Sequence, residues 1–398
     1  MSFLFSRAQD EGTTHEDVQL QGEKDMKRMM SIALSAVLAM PFYLGAQEDA
    51  EHKPNRVRHY RVTDLGTPPG WSFSQAAVIS DSGVITGLAA PTPTSPQSAT
   101  VWAHGKIQTL PALGGVNSSA FGATNSGHVV VGTAESAELD PNNENFCGYG
   151  TGEKCLPVLW DRGTPIQLST LGGNNGGAGP INVRAEIAGT VETDVRDPDC
   201  PGTVAGNGTG PYVLDFKAVI WGPKFGQMRT LEPLQGDTVS IALWINDKGE
   251  VAGISGTCAN TEVSPLAYGP HSVLWDREGR PHDLGNLGST AVNAALYVNN
   301  RGMVVGASSP TDQSSAFNGN LAFLWSREKG MRPLAPLPGD VASAATAIND
   351  AGDIAGVSID PSGNTSVVIW RNGSPVKLGD LVLGDSPFDA LLYTTGNQ

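Results

Sequence analysis

Residues 293–325 read NAALYVNNRGMVVGASSPTDQSSAFNGNLAFLW, and the architecture of the chain can be worked out from this stretch. A first apolar run leads into Asn299-Asn300-Arg301-Gly302, a second run closes on Gly306, and a third ends on Trp325. Short apolar runs separated by Asn/Gly turns are typical of β-hairpins, because Asn-x-Gly supplies the positive φ that a tight turn needs. The stretch therefore predicts three antiparallel strands, and a Leu-x-x-Leu segment after the Trp predicts a fourth.

This unit recurs six times after residue 59. The turn appears as Ser80-Asp81-Ser82-Gly83, Asn125-Ser126-Gly127, Asn246-Asp247-Lys248-Gly249, Asn299-Asn300-Arg301-Gly302 and Asn349-Asp350-Ala351-Gly352, and in the third unit it becomes Asn182-Val183-Arg184-Ala185. The second strand closes on Gly87, Gly132, Gly189, Gly253, Gly306 and Gly356. The third strand carries Trp102, Trp160, Trp221, Trp275, Trp325 and Trp370. Because the third unit lacks the turn Gly, the inner hairpin of that unit is the least certain to form.

Four short strands in roughly 45–60 residues predict an all-β fold, a β-propeller of four-stranded antiparallel blades. Each small sheet has two apolar faces, and stacking the blades around an axis buries them, with Trp and Leu between neighbours. A β-solenoid would need shorter coils, and a pair of β-sandwiches would not repeat the Trp and Gly positions.

The recurring pattern Ala-x-x-Ile-Asn-Asp-x-Gly-x-Ile/Val-x-Gly, followed by Ala-Phe-Leu-Trp, resembles the HAF repeat family of extracellular bacterial repeat proteins. Its best copy runs from Asn293 to Trp325, with Ala322-Phe323-Leu324-Trp325 at the strand that gives the repeat its name. The resemblance covers residues 59–394. It implies an exported repeat protein with a propeller fold, and it brings no reaction and no catalytic residue.

The strand count is uneven. Six units are complete, while His59–Leu65 resembles a fourth strand and Pro387–Thr395 a first strand. These two ends predict an incomplete seventh blade, and the alternative is a closed six-bladed ring.

The amino-terminal region has the layout of a secretory signal. Lys27-Arg28 precede an apolar run from Met29 to Met40, and small residues follow before Gln47. This run is too short for a membrane span of about 20 residues. We therefore expect an upstream, disordered extension over residues 1–25, a signal peptide over 26–46, a linker over 47–58 and the repeat domain over 59–398. The mature chain is expected to lack a transmembrane segment and to be secreted, periplasmic or extracellular.

The four cysteines lie in the long loops between second and third strands of units two to four. In an exported chain this even number predicts two disulfides, and we expect Cys147–Cys155 and Cys200–Cys258. Since loops carry binding on a rigid scaffold, the long-loop face is the expected functional face.

The long loops are also rich in acids and tyrosines. Ligand-binding candidates are Tyr149, Tyr212, Glu144, Asp194 and Asp197. Oxygen ligands suit Ca²⁺, so Asp194, Asp197 and Asp199 are candidate ligands, although no cofactor is required by the sequence.

Composition and motifs narrow the function. The net charge of −15 argues against nucleic-acid binding. The sequence has no H-E-x-x-H, G-x-S-x-G or Walker motif, and it gives no catalytic residue. We expect a binding or structural module whose partner is an extracellular glycan or a cell-surface protein. The alternative is a polysaccharide hydrolase or lyase that uses loop carboxylates.

Overall fold

A computed structural model describes residues 6–7, 59–200, 212–224, 226–263, 267–312 and 319–383, and these form a six-bladed β-propeller of four-stranded antiparallel sheets. The all-β propeller prediction and its six complete blades are confirmed. The predicted signal peptide, the linker and the carboxy-terminal strand Pro387–Thr395 lie outside the described residues. No described helix has the length and apolar character needed to cross a bilayer.

The strands follow the chain order within every blade, from the inner strand to the outer one. A separate two-stranded pair joins β1 (Ser6–Arg7) to β2 (Tyr60–Arg61). Blade one contains β3 (Phe73–Ile79), β4 (Ile85–Ala90), β5 (Ser98–Ala103) and β6 (Lys106–Leu110). Blade two contains β7 (Gly114–Ala123), β8 (Val129–Leu139), β9 (Glu153–Asp161) and β10 (Thr164–Gln167). Blade three contains β11 (Gly172–Ile181), β12 (Ile187–Arg196), β13 (Leu214–Trp221) and β14 (Met228–Leu231).

The remaining three blades repeat the pattern with shorter strands. Blade four contains β15 (Val239–Ile245), β16 (Val251–Gly256), β17 (His271–Trp275) and β18 (Pro281–Asp283). Blade five contains β19 (Asn293–Val298), β20 (Val304–Ser308), β21 (Leu321–Ser326) and β22 (Gly330–Pro333). Blade six contains β23 (Ala342–Ile348), β24 (Ile354–Ile359), β25 (Thr365–Arg371) and β26 (Ser374–Lys377), and a 3-10 helix follows at Leu378–Leu381.

The recurring Gly of the second strand is explained by a close approach of the inner strand. In every blade this Gly pairs with an Ala, and the inner strand shifts register by a bulge directly after that Ala. A Cβ added to any of the six Gly residues would lie 1.9–2.3 Å from an inner-strand carbonyl oxygen. The repeat therefore needs Gly to let the bulged strand lie over it.

The indoles pack between blades, as the sequence predicts. Trp160 packs with Val84 and Leu110 of blade one, and Trp370 packs with Val305 and Leu334 of blade five. Five of the six indole nitrogens donate to the chain segment that enters their own blade, through the pairs Trp102–Gly66, Trp160–Pro111, Trp221–Ser169, Trp275–Glu232 and Trp370–Ala335. The ring thus buries five of the six indoles while satisfying their N–H groups.

Blade five departs from this rule. Trp325 is only half-buried, while Phe323 is fully buried and its ring approaches Gly306. In the best copy of the repeat, the Phe of Ala-Phe-Leu-Trp therefore occupies the interior position that Trp holds in other blades.

The inner hairpin of blade three forms although its turn lacks Gly. Asn182 N donates to Glu186 O at 3.0 Å, and Ala185 takes the Gly position with φ at 59°. The hairpin that the sequence left in doubt is therefore present, although Ala185 must adopt a left-handed backbone conformation, which is unfavourable for a residue with a Cβ.

The segments that precede blade one and follow blade six meet on one face of blade six. Tyr60 and Leu378 join one apolar cluster with Ile369 of blade six, and Leu383 N donates to Tyr60 O at 2.8 Å. Of the two pieces predicted to make a seventh blade, His59–Leu65 contributes β2 at this junction. The described residues contain six four-stranded sheets, and the incomplete seventh blade stays a prediction.

Candidate functional site

On the long-loop face, the same arrangement of a buried Glu and a Gly-Gly-x-Asn segment occurs in two blades. Blades two and three both begin with Leu-Gly-Gly-x-Asn, at residues 113–117 and 171–175. Three residues after the conserved Gly of each blade stands a Glu, Glu135 or Glu192, and both are buried. A Cβ at Gly115 or Gly173 would lie 2.6 or 2.3 Å from the Cβ of that Glu. The Gly-Gly pair thus makes room for the carboxyl group.

In blade two, Glu135 is held by the Asn of the motif. Its Oε2 accepts hydrogen bonds from Asn117 N at 3.0 Å and from Asn117 Nδ2 at 2.8 Å, and its Oε1 accepts one from Thr151. Asn117 Oδ1 in turn accepts from Gln97 N of the preceding blade at 2.9 Å. These hydrogen bonds therefore join blade two to blade one.

In blade three, the equivalent Asn175 lies beside three carboxyl groups, those of Asp140, Glu144 and Glu192. We call these four residues the Asn175 cluster. Asn175 Nδ2 lies 2.5 Å from Asp140 Oδ2, 3.2 Å from Glu192 Oε2 and 3.5 Å from Glu144 Oε2. All four side chains are buried. Glu144 Oε1 also accepts from Val213 N at 2.6 Å, so the loops of blades two and three meet here.

Burial controls the protonation of this cluster. Burial, together with the charges of Glu144 and Asp140, raises the pKa of Glu192 to about 9. Burial also raises the pKa of Glu144, with a contribution from the Asp140 charge. A carboxyl group in an apolar environment favours its neutral form, so Glu192 is protonated at neutral pH. The cluster is closed to solvent and is suited to holding loops together.

The other predicted ligand-binding residues on this face occupy different environments. The Tyr149 hydroxyl lies 2.9 Å from both the Ser119 and Thr133 hydroxyls. Tyr212 is buried and packs against Phe146 and Phe216, with ring centroids 6.1 and 5.6 Å apart. Asp194 is exposed. The structure therefore does not bring Tyr149, Tyr212, Glu144, Asp194 and Asp197 to one accessible pocket.

The proposed calcium ligands do not converge either. Among the residues that the structure describes, no three His, Cys, Asp or Glu side chains are arranged to hold a metal ion. Asp194 lies in β12, whereas Asp197 and Asp199 lie in the loop after it, where Asp197 Oδ1 accepts from Asp199 N at 2.8 Å. Asp197 thus binds a main-chain N–H group of its own loop, and the assignment of these acids as calcium ligands stays a prediction.

Asp197 makes a carboxyl pair with Asp215 of β13. Burial raises the pKa of Asp215 to about 6, with further contributions from its hydrogen bond to Asp197 and from the Asp197 charge. Lys217 lies close enough for its charge to oppose this rise. The pair is half-buried, and with this pKa Asp215 is protonated below about pH 6 and mostly ionised at neutral pH.

Both predicted disulfides are confirmed. Cys147–Cys155 closes a short loop in blade two, with Cα atoms 6.1 Å apart. Cys200–Cys258 joins the loops of blades three and four, with Cα atoms 4.7 Å apart. Together with the Asn175 cluster, they tie the long loops of three neighbouring blades into one layer.

The large cavity lies on the opposite face. We call it the funnel: a concave mouth of about 1970 Å³, lined by the ends of the first strands and by the first-to-second turns of all six blades. Its wall is polar at the rim, where the Asn/Asp turns stand, and apolar deeper along the inner strands. The long-loop face, which the sequence predicts to be the functional one, is therefore not the face that bears this cavity.

The turn asparagines make a ladder around the rim of the funnel. The side-chain amide of each Asn donates to the main-chain carbonyl of the Asn in the next blade, at 2.9–3.0 Å, through the pairs Asn182–Asn246, Asn246–Asn299 and Asn299–Asn349. The same side chains cap their own turns, as when Asn246 Oδ1 accepts from Lys248 N and Glu250 N. The recurring Asn thus positions the rim by joining blades three to six.

A second row of bonds runs beside the first. Asp247 N donates to Asn300 Oδ1 at 2.8 Å, and Asn300 N donates to Asp350 Oδ1 at 2.8 Å. Asn300 Nδ2 also donates to Asp247 Oδ2 at 2.9 Å. The carboxylates of Asp247 and Asp350 are therefore held in fixed positions before any ligand arrives.

Three described aromatic side chains line the funnel, Tyr60, Trp244 and Tyr297, and the last two form a stacked pair. Trp244 and Tyr297 occupy the same register position in blades four and five, the first pair after the bulge, and they stack with ring centroids 3.7 Å apart and an interplanar angle of 24°. Burial raises the pKa of Tyr297, and the charges of Asp81, Asp350 and Asp247 raise it further. The sequence does not point to Trp244 and Tyr297 as a site because the equivalent position in other blades can hold a small residue, such as Ala347.

Comparison with known proteins found no matching family model and no matching curated protein. Among solved structures, the chain is similar to the β-propeller domain of the Trilobed protease from Pyrococcus furiosus, at 13% identity over 78% of this chain and 84% of that one, with a TM-score of 0.45. It is similar to the Pyrococcus horikoshii acylaminoacyl peptidase at 11% identity, with 77% of this chain and 46% of that one covered and a TM-score of 0.44, so it spans less than half of that peptidase. The chain is also similar to the SapL1 lectin, solved with α-methyl fucoside, at 11% identity over 77% of this chain and 96% of that one, with a TM-score of 0.31. Similarity at this level leaves the functional argument to the residues of the chain itself.

Proposed function

We propose that the chain is an exported binding module whose ligand enters the funnel. The observation that carries this proposal is the stacked Trp244–Tyr297 pair on the wall of a mouth whose polar rim is already fixed by hydrogen bonds between blades. Concave sites with aromatic walls and a few convergent polar groups are the usual form of ligand sites. A rim that is ordered in advance lowers the entropic cost of binding.

Export is supported by the two disulfides, since such bonds persist in oxidising compartments. The amino-terminal signal layout and the resemblance to the HAF repeat agree with this assignment. An extracellular glycan and a cell-surface protein are the two ligand classes that an exported module would meet.

The carboxyl groups of the long-loop face fit a structural role better than a catalytic one. Glu135, Glu144 and Glu192 are buried and accept hydrogen bonds from main-chain N–H groups. A general acid or base must reach the proton that it transfers, and these groups are closed to a substrate.

A second candidate function, that of a hydrolase or lyase acting on an extracellular polysaccharide, is favoured by one observation. The Asp197–Asp215 pair contains one carboxyl group with a raised pKa, about 6 for Asp215, and one with a lowered pKa, Asp197, and such a difference is the property needed for an acid and a base at one site. Release of reducing ends or unsaturated sugars from a polysaccharide, lost in Asp215→Asn, would support this candidate, and no release would remove it.

The funnel proposal is tested with an array of glycans and peptides probed by the secreted protein and by Ala347→Trp. Position 347 has the register of Trp244 and Tyr297, so the fold already accepts large rings at this position in two blades. The new indole should narrow the mouth and weaken array binding while the protein stays folded.

The matched control is Asp194→Asn on the long-loop face, which should leave array binding unchanged. Binding that is unchanged in Ala347→Trp but is lost in Asp194→Asn would place the ligand on the long-loop face and contradict the funnel proposal.

A further inference from the structure

The charges that line the funnel are unequal. Among the described residues, four carboxylates line it, from Asp81, Asp247, Asp350 and Asp353, against Arg61 and His59. The chain as a whole has a net charge of −15. A concave site lined mainly by one sign of charge focuses the field and attracts ligands of the opposite sign.

The aromatic pair lies within this negative field. The face of an indole or phenol ring is itself negative and attracts ammonium and guanidinium groups. Trp244 and Tyr297 are both half-buried and both line the funnel, and the charges of Asp81, Asp350 and Asp247 act on the Tyr297 hydroxyl. Ring faces and carboxylates therefore favour the same kind of ligand, a cation.

The polar groups of the funnel have unused hydrogen-bonding capacity. Asp247 and Asp350 each accept bonds from rim amides, whereas among the described residues Asp81 accepts none and the Tyr297 hydroxyl has no partner. A carboxylate can accept about four hydrogen bonds. An ammonium group brings three donors and a guanidinium five, so a cationic group matches what the site lacks.

Several basic side chains of this face lie in a second groove of about 460 Å³, which shares Asp247 with the funnel. Its described lining has five basic side chains and four carboxylates, and Arg280 pairs with Asp276 while Arg327 pairs with Glu250. The groove is therefore close to charge balance, whereas the funnel has an excess of carboxylates.

The size of the funnel decides between a free amine and a chain. A volume of about 1970 Å³ is much larger than one amine occupies, and its wall combines apolar strand ends with charged turns. Resting on the proposed binding function, we propose that the funnel takes a lysine or arginine side chain presented by a polypeptide segment. The carboxylates hold the charged group, and the Trp244–Tyr297 pair packs against its aliphatic stem.

The test uses a hexalysine peptide as the probe and its fully acetylated form as the neutral control, with binding to the secreted protein measured by isothermal titration calorimetry. We expect the acetylated peptide to bind at least about tenfold more weakly, and binding of hexalysine to fall as salt screens the carboxylates. Asp81→Asn and Trp244→Leu should each raise the Kd about fivefold. Asp194→Asn makes the same charge change on the other face and should leave the Kd unchanged.

Two results would overturn this inference. If hexalysine fails to bind while an array ligand binds in a manner that Ala347→Trp weakens, the funnel is a binding site for another class of ligand. If hexalysine binds equally well to Ala347→Trp, the peptide is held by the acidic surface outside the funnel. Weaker hexalysine binding in Ala347→Trp, together with the weaker binding of the acetylated peptide, is the result that supports it.

Discussion

At position 192 a glutamate is fully buried beside Asp140 and Glu144, and its Oε1 has no hydrogen-bond partner among the described residues. Its Oε2 accepts from the main-chain N–H groups of Asn174 and Asn175 at 3.1 and 2.8 Å. The Glu192 side chain is therefore needed to accept these hydrogen bonds, but an ionised carboxylate at this buried position would cost free energy. The fold resolves this by keeping the carboxyl group protonated.

This protonation predicts how stability changes with pH. Because burial raises the pKa of Glu192 from 4.5 to about 9, the stability that its proton confers is full below about pH 4.5 and is lost as the pH rises toward 9. Glu192→Gln keeps the acceptor and has no proton to lose. We expect the variant to gain about 3 kcal/mol over the natural protein between pH 6 and pH 9.

Urea unfolding at a series of pH values measures this difference. Glu328→Gln, an exposed change of the same type, is the control and should show no such trend. A constant difference between Glu192→Gln and the natural protein across this range would show that Glu192 is already ionised at neutral pH.

At the scale of the strand pair, the bulge over the conserved Gly is the element that every blade shares. Gly253 pairs with Ala242, and a Cβ at this position would lie 2.0 Å from Ile241 O and 2.9 Å from the Trp275 ring. Neither the carbonyl nor the buried indole can move without disturbing the interface between two blades.

Gly253→Ala is therefore expected to destabilise the protein by about 3 kcal/mol, measured by urea unfolding, because a methyl group is forced against the main chain in a packed interior. Gly379→Ala is the matched control, since a Cβ at that position meets nothing within 4 Å and its φ is not positive. We expect the control to change stability by less than about 0.5 kcal/mol. Equal effects of the two changes would contradict the bulge as the reason for the repeat Gly.

The strands and blades could be predicted because their signals are local. The turn Asn, the strand Gly and the Trp recur in each unit, and a β-strand period with a tight turn is visible within about ten residues. The sequence did not reveal that the Asn amides bind the next blade, because the partner carbonyl lies 50–64 residues away.

The candidate site was harder to predict for the same reason. Acids in loops are usually exposed, and Glu144 becomes buried only because Asn175 and Val213, from another blade, converge on it. Trp244 and Tyr297 read as ordinary strand residues until the ring places them side by side. The repeated Leu-Gly-Gly-x-Asn followed by a Glu was the available signal for the buried acids.

At the scale of the whole molecule, the two disulfides should differ in their effects. Cys200–Cys258 closes a loop of 58 residues and joins two blades, whereas Cys147–Cys155 closes a loop of 8 within one blade. In the chain-entropy model the longer loop is worth about 4 kcal/mol and the shorter about 2 kcal/mol. We expect the Cys200→Ala, Cys258→Ala double variant to unfold at lower urea than the Cys147→Ala, Cys155→Ala double variant, and the opposite order would contradict this view of the loop layer.

Hydrogen exchange tests most directly whether the mouth between the Asn/Asp turns is the binding site. With a saturating hexalysine peptide, slower exchange is expected in the turns at residues 80–83, 246–249, 299–302 and 349–352, with little change in the loops at 140–152 and 193–200. Slower exchange confined to those two loops, with the turns unaffected, would show that the protein binds on its other face.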